Sequence, residues 1–390
     1  MNHGKYVFAQ LVEFLPQRAF DSCVVRYKGN HYIKHFTCWN QLLCMMFRQL
    51  GNRESLSDLI LCISSHQPKA YHLGFGTGVS KNNLAKANER RNWQIYADFA
   101  YVLIAQARKS CIQRDDLNLT FKGNVYAFDA SVIDLCISVF WWAKYKKTKG
   151  AIKLHTLFDI KTSIPTFIYV TEAAVHDVNA MDNLVYETGS CYIFDRGYID
   201  YKRLYKIHRE NSFFVIRAKS NMKCKRIYSS KCDKTMGVKY DQIIMLTNLY
   251  AAKDYPEKMR RIKYYDKETK NTFVFITNNM DLPAAEIALL YKYRWQVELF
   301  FKWIKQHLRI TVFWGTSENA VKVQVYIAII TYTLVAIVKT KLKTHLTNYE
   351  ILQIISLSLI DKTSIYELLG AKCLQSSEEQ NYNQLNLFEF

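Results

Sequence analysis

The sequence predicts an α/β protein with helices flanking a mixed sheet, and three stretches of the chain indicate this class. Residues 1 to about 115 carry apolar side chains at helical spacing. From Asn124 to about residue 280, short apolar runs rich in strand formers follow one another. A long helix is predicted from Pro283 to Leu308, with proline in its permitted first turn, and more helices follow Glu318.

The composition indicates an anionic partner. The 390 residues include 53 Lys and Arg against 34 Asp and Glu, a net charge of +19. This excess favours nucleic acid or an anionic membrane surface, and it excludes a protein that works mainly on cationic partners. Apolar residues make up 49% of the chain, enough for a sizeable core. The 13 Gly and 5 Pro exclude a long flexible linker.

Neither a membrane span nor a disulfide scaffold is expected. The apolar stretch Val325–Val338 has 14 residues, whereas a bilayer needs about 20, so a buried helix is expected. No signal peptide opens the chain, and the ten cysteines form no CxxC pair, which predicts a reduced cytoplasmic protein. A zinc cluster is conceivable, but its spacings match no common zinc module. Its ligands would be His31, His35, Cys38 and Cys44.

One of the predicted N-terminal helices has the composition of a DNA-binding helix. Helices are predicted over Trp39–Leu50 and from Ser55, which has capping chemistry. After a glycine-bearing turn over 74–78, Ser80 is the predicted N-cap of a helix rich in Lys, Arg and Asn. Such a helix suits the major groove, and it equally suits a solvated surface. Its basic residues include Lys81, Lys86, Arg90 and Arg91.

Two apolar strands are each predicted to end in an aspartate. The first runs from Val125 to Asp129 and the second from Ser190 to Asp195, and two more strands are expected over Lys153–Asp159 and Pro165–Thr171. A carboxylate at a strand end is often only a cap or turn residue. The aspartates therefore need support from another part of the chain before a function is assigned to them.

That support is expected from the long helix. Tyr291, Arg294, Glu298 and Lys305 fall within an arc of about 60° on one helix face, and Lys302 lies close to the same line. Three carboxylates brought together repel one another unless a cation joins them. Carboxylate oxygens suit Mg²⁺ or Mn²⁺, and two such ions about 4 Å apart would clamp an in-line phosphoryl displacement.

These residues together resemble a known family. Asp129, Asp195 with its trailing Arg196-Gly197-Tyr198, and Tyr291-x2-Arg294-x3-Glu298-x6-Lys305 resemble the DDE transposases of the insertion-sequence-four family of bacterial mobile elements. Further similar features are Lys153-Leu154-His155 and the segment 313–317. The resemblance runs from near residue 10 to about residue 340.

The resemblance implies a ribonuclease-H-like catalytic core, a mixed sheet with flanking helices, interrupted by a strand-rich insertion. Helical N-terminal DNA-binding and C-terminal regions would flank it. The implied division is 1–115 helical DNA-binding domain, 116–205 first part of the core, 206–280 insertion, 281–320 catalytic-helix part of the core, and 321–390 C-terminal helical region.

The resemblance also implies the site. Asp129, Asp195 and Glu298 would be the catalytic residues and would hold two Mg²⁺ ions, with Mn²⁺ as a substitute. Phosphates of DNA would be gripped by Tyr291, Arg294 and Lys305, with Arg196 and Lys302 as further contacts. The remaining predicted DNA contacts are Lys153, Lys81, Lys86, Arg90 and Arg91. The basic run 144–153 is otherwise a solvated loop.

One departure concerns a hairpin intermediate. Well-known relatives stack a flipped base on a tryptophan of the insertion, and this chain has no Trp between Trp142 and Trp295. An aromatic residue could take that place, because every aromatic face stacks bases. The choices are Tyr264, Tyr265, Phe273 and Phe275.

The function expected is a metal-dependent DNA transposase, an endonuclease and strand transferase. It would cleave the ends of an insertion sequence and transfer the strands to target DNA in cut-and-paste transposition. Its partners would be double-stranded DNA, both terminal repeats and target, and a second copy of the chain in a homodimer on DNA. It would work in the bacterial cytoplasm, associated with the nucleoid. The alternatives are a structure-selective DNA nuclease without strand joining, and an inactive transposase-derived DNA-binding regulator.

Overall fold

The computed structural model describes residues 4–52, 55–76, 79–110, 117–136, 138–146, 149–308, 310 and 312–370. The chain divides into two compact units. The helical unit comprises residues 1–112 and 303–390, and the sheet unit comprises residues 113–302.

The helices and strands have the following bounds in chain order. The helices are α1 Val7–Val12, α2 Gln17–Arg26, α3 Cys38–Leu50, α4 Leu56–Ser65, α5 Gln67–Ala70, α6 Lys81–Arg90, α7 Gln94–Ser110, α8 Tyr201–Arg209, α9 Leu249–Asp254, α10 Ala284–Lys292, α11 Trp295–His307, α12 Glu318–Leu342 and α13 Asn348–Ser358. The strands are β1 Val125–Leu135, β2 Lys144–Lys146, β3 Lys149–Asp159, β4 Ile164–Glu172, β5 Cys191–Phe194, β6 Phe213–Arg217, β7 Cys224–Ser230, β8 Val238–Leu246, β9 Met259–Asp266 and β10 Asn271–Thr277.

The predicted helix starts of the helical unit are confirmed by their caps. The Ser55 hydroxyl accepts from the Asp58 N–H, and the Asp58 carboxylate accepts from the Ser55 N–H, which is a capping box. Ser80 likewise caps α6 through the N–H of Asn83. The turn before α6 is described only in part, since Thr77 and Gly78 lie outside the described residues.

Helix α12 forms the core of the helical unit. It is 25 residues long, longer than the 14-residue run predicted, and it is apolar enough to cross a membrane by length and composition. However, 94% of its most apolar 18-residue window is buried inside the protein. Thr331 also donates to Gln49 within this core. The expectation of a buried helix is confirmed, and burial accounts for the hydropathy.

The zinc cluster considered from the sequence does not form. His31 and His35 are exposed, whereas Cys38 and Cys44 are fully buried. Both thiols are free, and burial raises the pKa of Cys44 well above the usual value. Across the described ranges, no group of three or more His, Cys, Asp or Glu side chains is close enough to hold one metal ion. The two cysteines are packing residues.

The sheet unit is built on one mixed sheet of ten strands. Its order is β2-β3-β1-β5-β6-β10-β9-β8-β7, with β4 pairing with β3. The pairs β1/β5 and β5/β6 are parallel, and the other pairs are antiparallel. The strands of the segment 206–280 therefore continue the sheet that carries the two aspartates. The division into a core and an insertion stays a prediction.

Two predicted boundaries in the sheet unit were wrong. The first strand does not end at Asp129 but continues to Leu135, because residues beyond Asp129 remain paired with β3 as far as Gly150. The long helix is broken into α10 and α11 at Tyr293 and Arg294. There the N–H groups of Arg294 and Val297 donate to carbonyls three residues back, so the turn tightens to 3₁₀ geometry.

A buried carboxylate ties α10 to the segment that enters β1. Glu286 accepts hydrogen bonds from the N–H groups of Thr120 at 2.7 Å and Phe121 at 2.8 Å, and from the Thr120 hydroxyl. Glu286 is only 7% exposed. Its side chain thus satisfies donors that would otherwise be buried without a partner.

We expect Glu286→Ala to lower the free energy of unfolding by about 3 kcal/mol, since each buried donor left unpaired costs about 1–3 kcal/mol. Urea titration followed by tryptophan fluorescence measures the change. Glu286→Gln is the matched control, because its amide oxygen still accepts, and it should lose clearly less. A loss below about 1 kcal/mol in the alanine variant would contradict this role.

Candidate active site

Asp129 and Asp195 lie side by side because their strands pair in parallel. The register pairs Phe128 of β1 with Phe194 of β5, so the next residue on each chain is an aspartate. Neighbours in register project to the same face of a sheet. Asp195 directly follows the end of β5, as predicted, whereas Asp129 lies within β1.

An aromatic layer holds the opposite face of these two strands. Phe128 and Phe194 are fully buried with ring centroids 6.1 Å apart, and Tyr126 and Tyr192 stack at 5.3 Å. Because side chains alternate along a strand, burying these rings directs the aspartates to the other face. Tyr198 packs against Phe128 at 5.3 Å and completes the layer. Sequence alternation thus positions both carboxylates.

Arg294 joins two of the predicted catalytic acids. Its guanidinium donates from Nη1 to Asp129 Oδ2 at 2.8 Å and from Nη2 to Glu298 Oε1 at 2.5 Å. The Arg294 side chain is 16% exposed, that of Asp129 20% and that of Glu298 54%. The break between α10 and α11 contains Arg294, so this turn sets where the guanidinium lies. The structure therefore brings Arg294, Asp129 and Glu298 together.

The electrostatics of Asp129 reflect a crowded acidic site. Burial is the largest cause that raises the pKa of Asp129, to about 6. The carboxylates of Glu298 and Asp195 raise it as well, while Arg294 and the Ala130 N–H lower it. Burial lowers the pKa of Arg294, but the nearby Asp129 carboxylate offsets this and the pKa is raised overall. The two other acids thus act electrostatically on Asp129.

Tyr291 contacts the third acid. Its hydroxyl donates to Asp195 Oδ1 at 3.2 Å, and its ring packs on Phe275 with centroids 4.7 Å apart. Burial raises the pKa of Tyr291 to about 12, so the hydroxyl keeps its proton and remains a donor. In the DNA-free protein Tyr291 therefore holds one carboxylate of the predicted triad and Arg294 holds the other two.

Tyr198 is a residue of the site to which the sequence assigned no role. It is 3% exposed, and its hydroxyl has no hydrogen-bond partner among the described residues. Burial raises its pKa, and the nearby charges of Asp129, Asp177 and Asp195 act in the same direction. The ring of Tyr198 therefore packs in the aromatic layer with a neutral, buried hydroxyl, on which the charges of Asp129 and Asp195 act. Its position after Asp195 in the chain was the only sequence signal.

The predicted DNA contacts divide by exposure. Arg196 and Lys302 of the sheet unit are exposed. In the helical unit, Lys81, Lys86 and Arg90 lie exposed along α6. Lys305 belongs to the helical unit, and its role stays a prediction.

Two of the predicted DNA contacts are wrong, because both side chains are internal. Lys153 is 9% exposed, and its ammonium donates to the Val175 carbonyl at 2.8 Å and pairs with Asp177 at 2.9 Å. Arg91 is 8% exposed. Its guanidinium donates to the carbonyls of Phe36 and Thr37 and to the side chain of Gln41. Lys147, in the same basic run as Lys153, lies outside the described residues.

The donor set suits a divalent cation by its chemistry, although in the described residues the three carboxylates are not gathered closely enough to hold one ion. Asp129, Asp195 and Glu298 offer hard carboxylate oxygens, and their mutual repulsion at Asp129 is relieved by positive charge. Arg294 supplies that charge between Asp129 and Glu298. Ion binding between those two acids would require the guanidinium to release them, which would leave it available to a phosphate.

A large aromatic cavity opens beside Asp195. Its volume is 690 Å³, and its lining includes Asp195, Arg217 and Arg294. The aromatic residues of the lining are Tyr264, Phe273, Phe275, Tyr291 and Trp295. Three of the four aromatic residues proposed from the sequence for base stacking line this cavity, and Tyr265 does not.

Strand-borne aspartates with a helix-borne glutamate and arginine define the class of metal-dependent enzymes that transfer phosphoryl groups of nucleic acid. Comparison with known proteins identifies the family within that class. The family model described as "Transposase DDE domain" matches residues 120–334, and the chain belongs to this family. A second model, described as "Domain of unknown function (DUF4372)", matches residues 3–76.

Named relatives agree with the family. "Putative transposase y4zB" of Sinorhizobium fredii is 33% identical over 65% of this chain and 70% of its own length. "Probable transposase for insertion sequence element IS5377" of Geobacillus stearothermophilus is 25% identical over 74% and 78% respectively. "Putative transposase for insertion sequence element IS4SA" of Synechocystis is 23% identical over 66% and 71%. The expectation of a DDE transposase of an insertion sequence is confirmed, and so is its DNA substrate.

Proposed function

We propose that this DNA transposase cuts the ends of an insertion sequence and joins them to target DNA by two-metal phosphoryl transfer at Asp129, Asp195 and Glu298. The observation that carries the proposal is the parallel register of β1 and β5, which sets the two aspartates side by side, with Arg294 linking Asp129 to Glu298. Carboxylates placed close together destabilise a fold, so a charged cluster of this kind indicates a functional site.

We further propose that the catalytic core is ribonuclease-H-like and that the protein belongs to the insertion-sequence-four branch. The strand order β4-β3-β1-β5-β6 supports this core. The strands β4, β3 and β1 pair antiparallel to one another, and β5 and β6 then pair parallel to β1 and to each other in that order. The spacing Tyr291-x2-Arg294-x3-Glu298-x6-Lys305 supports the branch. On this basis β6 belongs to the core, and the insertion placed at 206–280 from the sequence contributes β7 to β10.

Each residue of the site has a distinct task in the proposed mechanism. Asp129, Asp195 and Glu298 would hold two Mg²⁺ ions, or Mn²⁺ as a substitute. When bound, these ions supply charge stabilisation to the attacking and leaving oxygens of an in-line displacement. Tyr291 orients Asp195 through its hydroxyl, and Arg294 turns from the acids to a phosphate, for which its planar fork is suited. Lys302 and Lys305 contact phosphates farther along the strand.

The helical unit and the aromatic cavity have proposed DNA roles as well. Helix α6 contacts terminal-repeat DNA through Lys81, Lys86 and Arg90, each of which is exposed. The aromatic cavity accepts one unpaired base of the element end, because its rings offer π faces at the edge of the acidic site. A hairpin intermediate would therefore not need a tryptophan in the 206–280 segment.

Transposition needs two element ends held together, so we propose a homodimer on DNA. The place of action proposed is the bacterial cytoplasm, on nucleoid DNA. The assignment of the acidic site depends neither on the homodimer nor on the place of action.

The function is tested by incubating the purified protein with Mg²⁺, a supercoiled target plasmid and the DNA that flanks its gene. We expect element ends released by double-strand cleavage and then joined to the plasmid, with hairpin ends seen on denaturing gels at early times. Cleavage without joined product would favour the structure-selective nuclease. DNA binding without cleavage would favour the transposase-derived regulator.

A further inference from the structure

A second concave site of the sheet unit is strongly basic. It has a volume of 280 Å³, and we call it the basic pocket. Four cationic side chains line it, from Arg196, Arg217, Lys219 and Arg261, and none of the described residues that line it is a carboxylate. In the described part of the chain, none of these four takes part in an ion pair. Like charges gathered without acids raise the local potential and attract an anion.

Arg261 is held in place by neutral groups rather than by acids. Its Nη2 donates to Gln242 Oε1 at 2.6 Å and its Nη1 to Cys224 Sγ at 3.2 Å. The guanidinium lies 5.3 Å from the ring centroid of Tyr240, which also lines the pocket. The Arg261 Nε is buried without a hydrogen-bond partner among the described residues. The full positive charge of Arg261 is therefore fixed in orientation and not neutralised.

The basic pocket adjoins the acidic site. Arg196 follows Asp195 directly in the chain. Arg217 lines both the basic pocket and the aromatic cavity, and its guanidinium lies 5.1 Å from the ring centroid of Phe273. A surface suited to a base and a surface suited to a phosphate thus meet at Arg217. That combination matches the two chemical parts of one nucleotide.

We propose that the basic pocket binds a backbone phosphate of DNA, at a position separate from the phosphate that is cleaved. The guanidinium forks of Arg196, Arg217 and Arg261 suit the oxygens of a phosphodiester, and Lys219 adds a point charge. The inference rests on the proposed function only in taking DNA as the substrate. The strand held there belongs either to the element end or to target DNA, which offer the same phosphodiester chemistry.

The test is the salt dependence of DNA affinity, which counts phosphate contacts independently of cleavage. The variant is Arg196→Ala with Lys219→Ala, because both side chains are exposed and their removal spares the fold. Lys225→Ala is the matched control, since this exposed lysine of β7 does not line the pocket. Fluorescence anisotropy in EDTA, from 50 to 200 mM NaCl, is measured with two duplexes bearing single-stranded ends, one from the flank of the gene and one of unrelated sequence.

Loss of the one phosphate contact to a single strand reduces the log–log slope by about 0.7, so the affinity lost over this fourfold salt range should be about 2.6-fold smaller than in the unchanged protein. The control should keep the original slope. A reduced slope on the flanking duplex alone would assign the pocket to the element end. A reduced slope on the unrelated duplex alone would assign it to target DNA, and a reduced slope on both would assign it to either strand.

An unchanged slope on both duplexes would overturn the proposal, even in a protein that cuts and joins DNA. Conversely, a protein that never cleaves can still show the reduced slope, so the pocket and the catalytic function fail separately. Arg261→Gln provides a second variant inside the pocket. It should reduce the slope by up to about 0.7 if the pocket holds a phosphate and leave it unchanged otherwise.

Discussion

Asp129→Ala, Asp195→Ala and Glu298→Ala are each expected to abolish DNA cleavage. Members of a catalytic set that act as a unit each cost on the order of 10⁴-fold or more when removed. Affinity for DNA should remain or rise slightly, because each change removes a negative charge near the substrate. Cleavage of a labelled duplex carrying the flank of the gene, in Mg²⁺, measures the first effect, and anisotropy in EDTA measures the second.

Asp134→Ala is the matched control for these three variants. Asp134 lies on the same strand as Asp129, five residues farther along, and it is exposed. Its removal should leave cleavage within about twofold of the unchanged protein, since surface substitutions away from special features have small effects. Near-normal cleavage by any one of the three triad variants would contradict the site assignment.

Arg294→Ala is expected to reduce the rate of cleavage by about 10²- to 10³-fold, the range for loss of one preorganised group that stabilises transition-state charge. The physical reason is twofold. Asp129 would lose its neighbouring counter-charge, and a phosphate would lose a bidentate donor. Single-turnover cleavage at saturating DNA measures the rate, so that weaker binding does not enter the result.

Two further variants separate charge from geometry at this position. Arg294→Lys keeps the charge, but one ammonium does not reproduce the planar fork that bridges Asp129 and Glu298, so it should recover only a small part of the rate. Lys253→Ala is the control, because this exposed lysine of α9 does not line the aromatic cavity beside Asp195. Full activity in Arg294→Lys would mean that charge alone matters there.

Local patterns predicted the elements of the site, since each depends on a few neighbouring residues. The apolar run before each aspartate predicted the strands, and the Ser55 and Ser80 caps predicted two helix starts. The fact that β1 and β5 pair in parallel follows from contacts between segments about 60 residues apart. No local pattern carries that register, so the exact neighbourhood of Asp129 and Asp195 required the fold.

The wrong expectations have a common physical cause. Lys153 and Arg91 were assigned to DNA because of their charge. In the fold, each is buried against oxygen atoms from another segment of the chain. Lys153 contacts the Val175 carbonyl and the Asp177 carboxylate, and Arg91 contacts the Phe36 carbonyl. Likewise, the break at Tyr293 and Arg294 lies in a stretch without Gly or Pro, so no local helix breaker predicts the 3₁₀ turn. Charge and propensity describe single residues, whereas burial is a property of the whole fold.

The central claim is that Asp129, Asp195 and Glu298 together hold the divalent ions that act on DNA. The most direct test counts Mn²⁺ ions bound per chain by electron paramagnetic resonance, on the protein complexed with DNA from the flank of its gene. We expect two ions in the unchanged protein and in Asp134→Ala, and at least one fewer in Asp129→Ala, Asp195→Ala and Glu298→Ala. An unchanged ion count in Asp129→Ala and Asp195→Ala would contradict the claim.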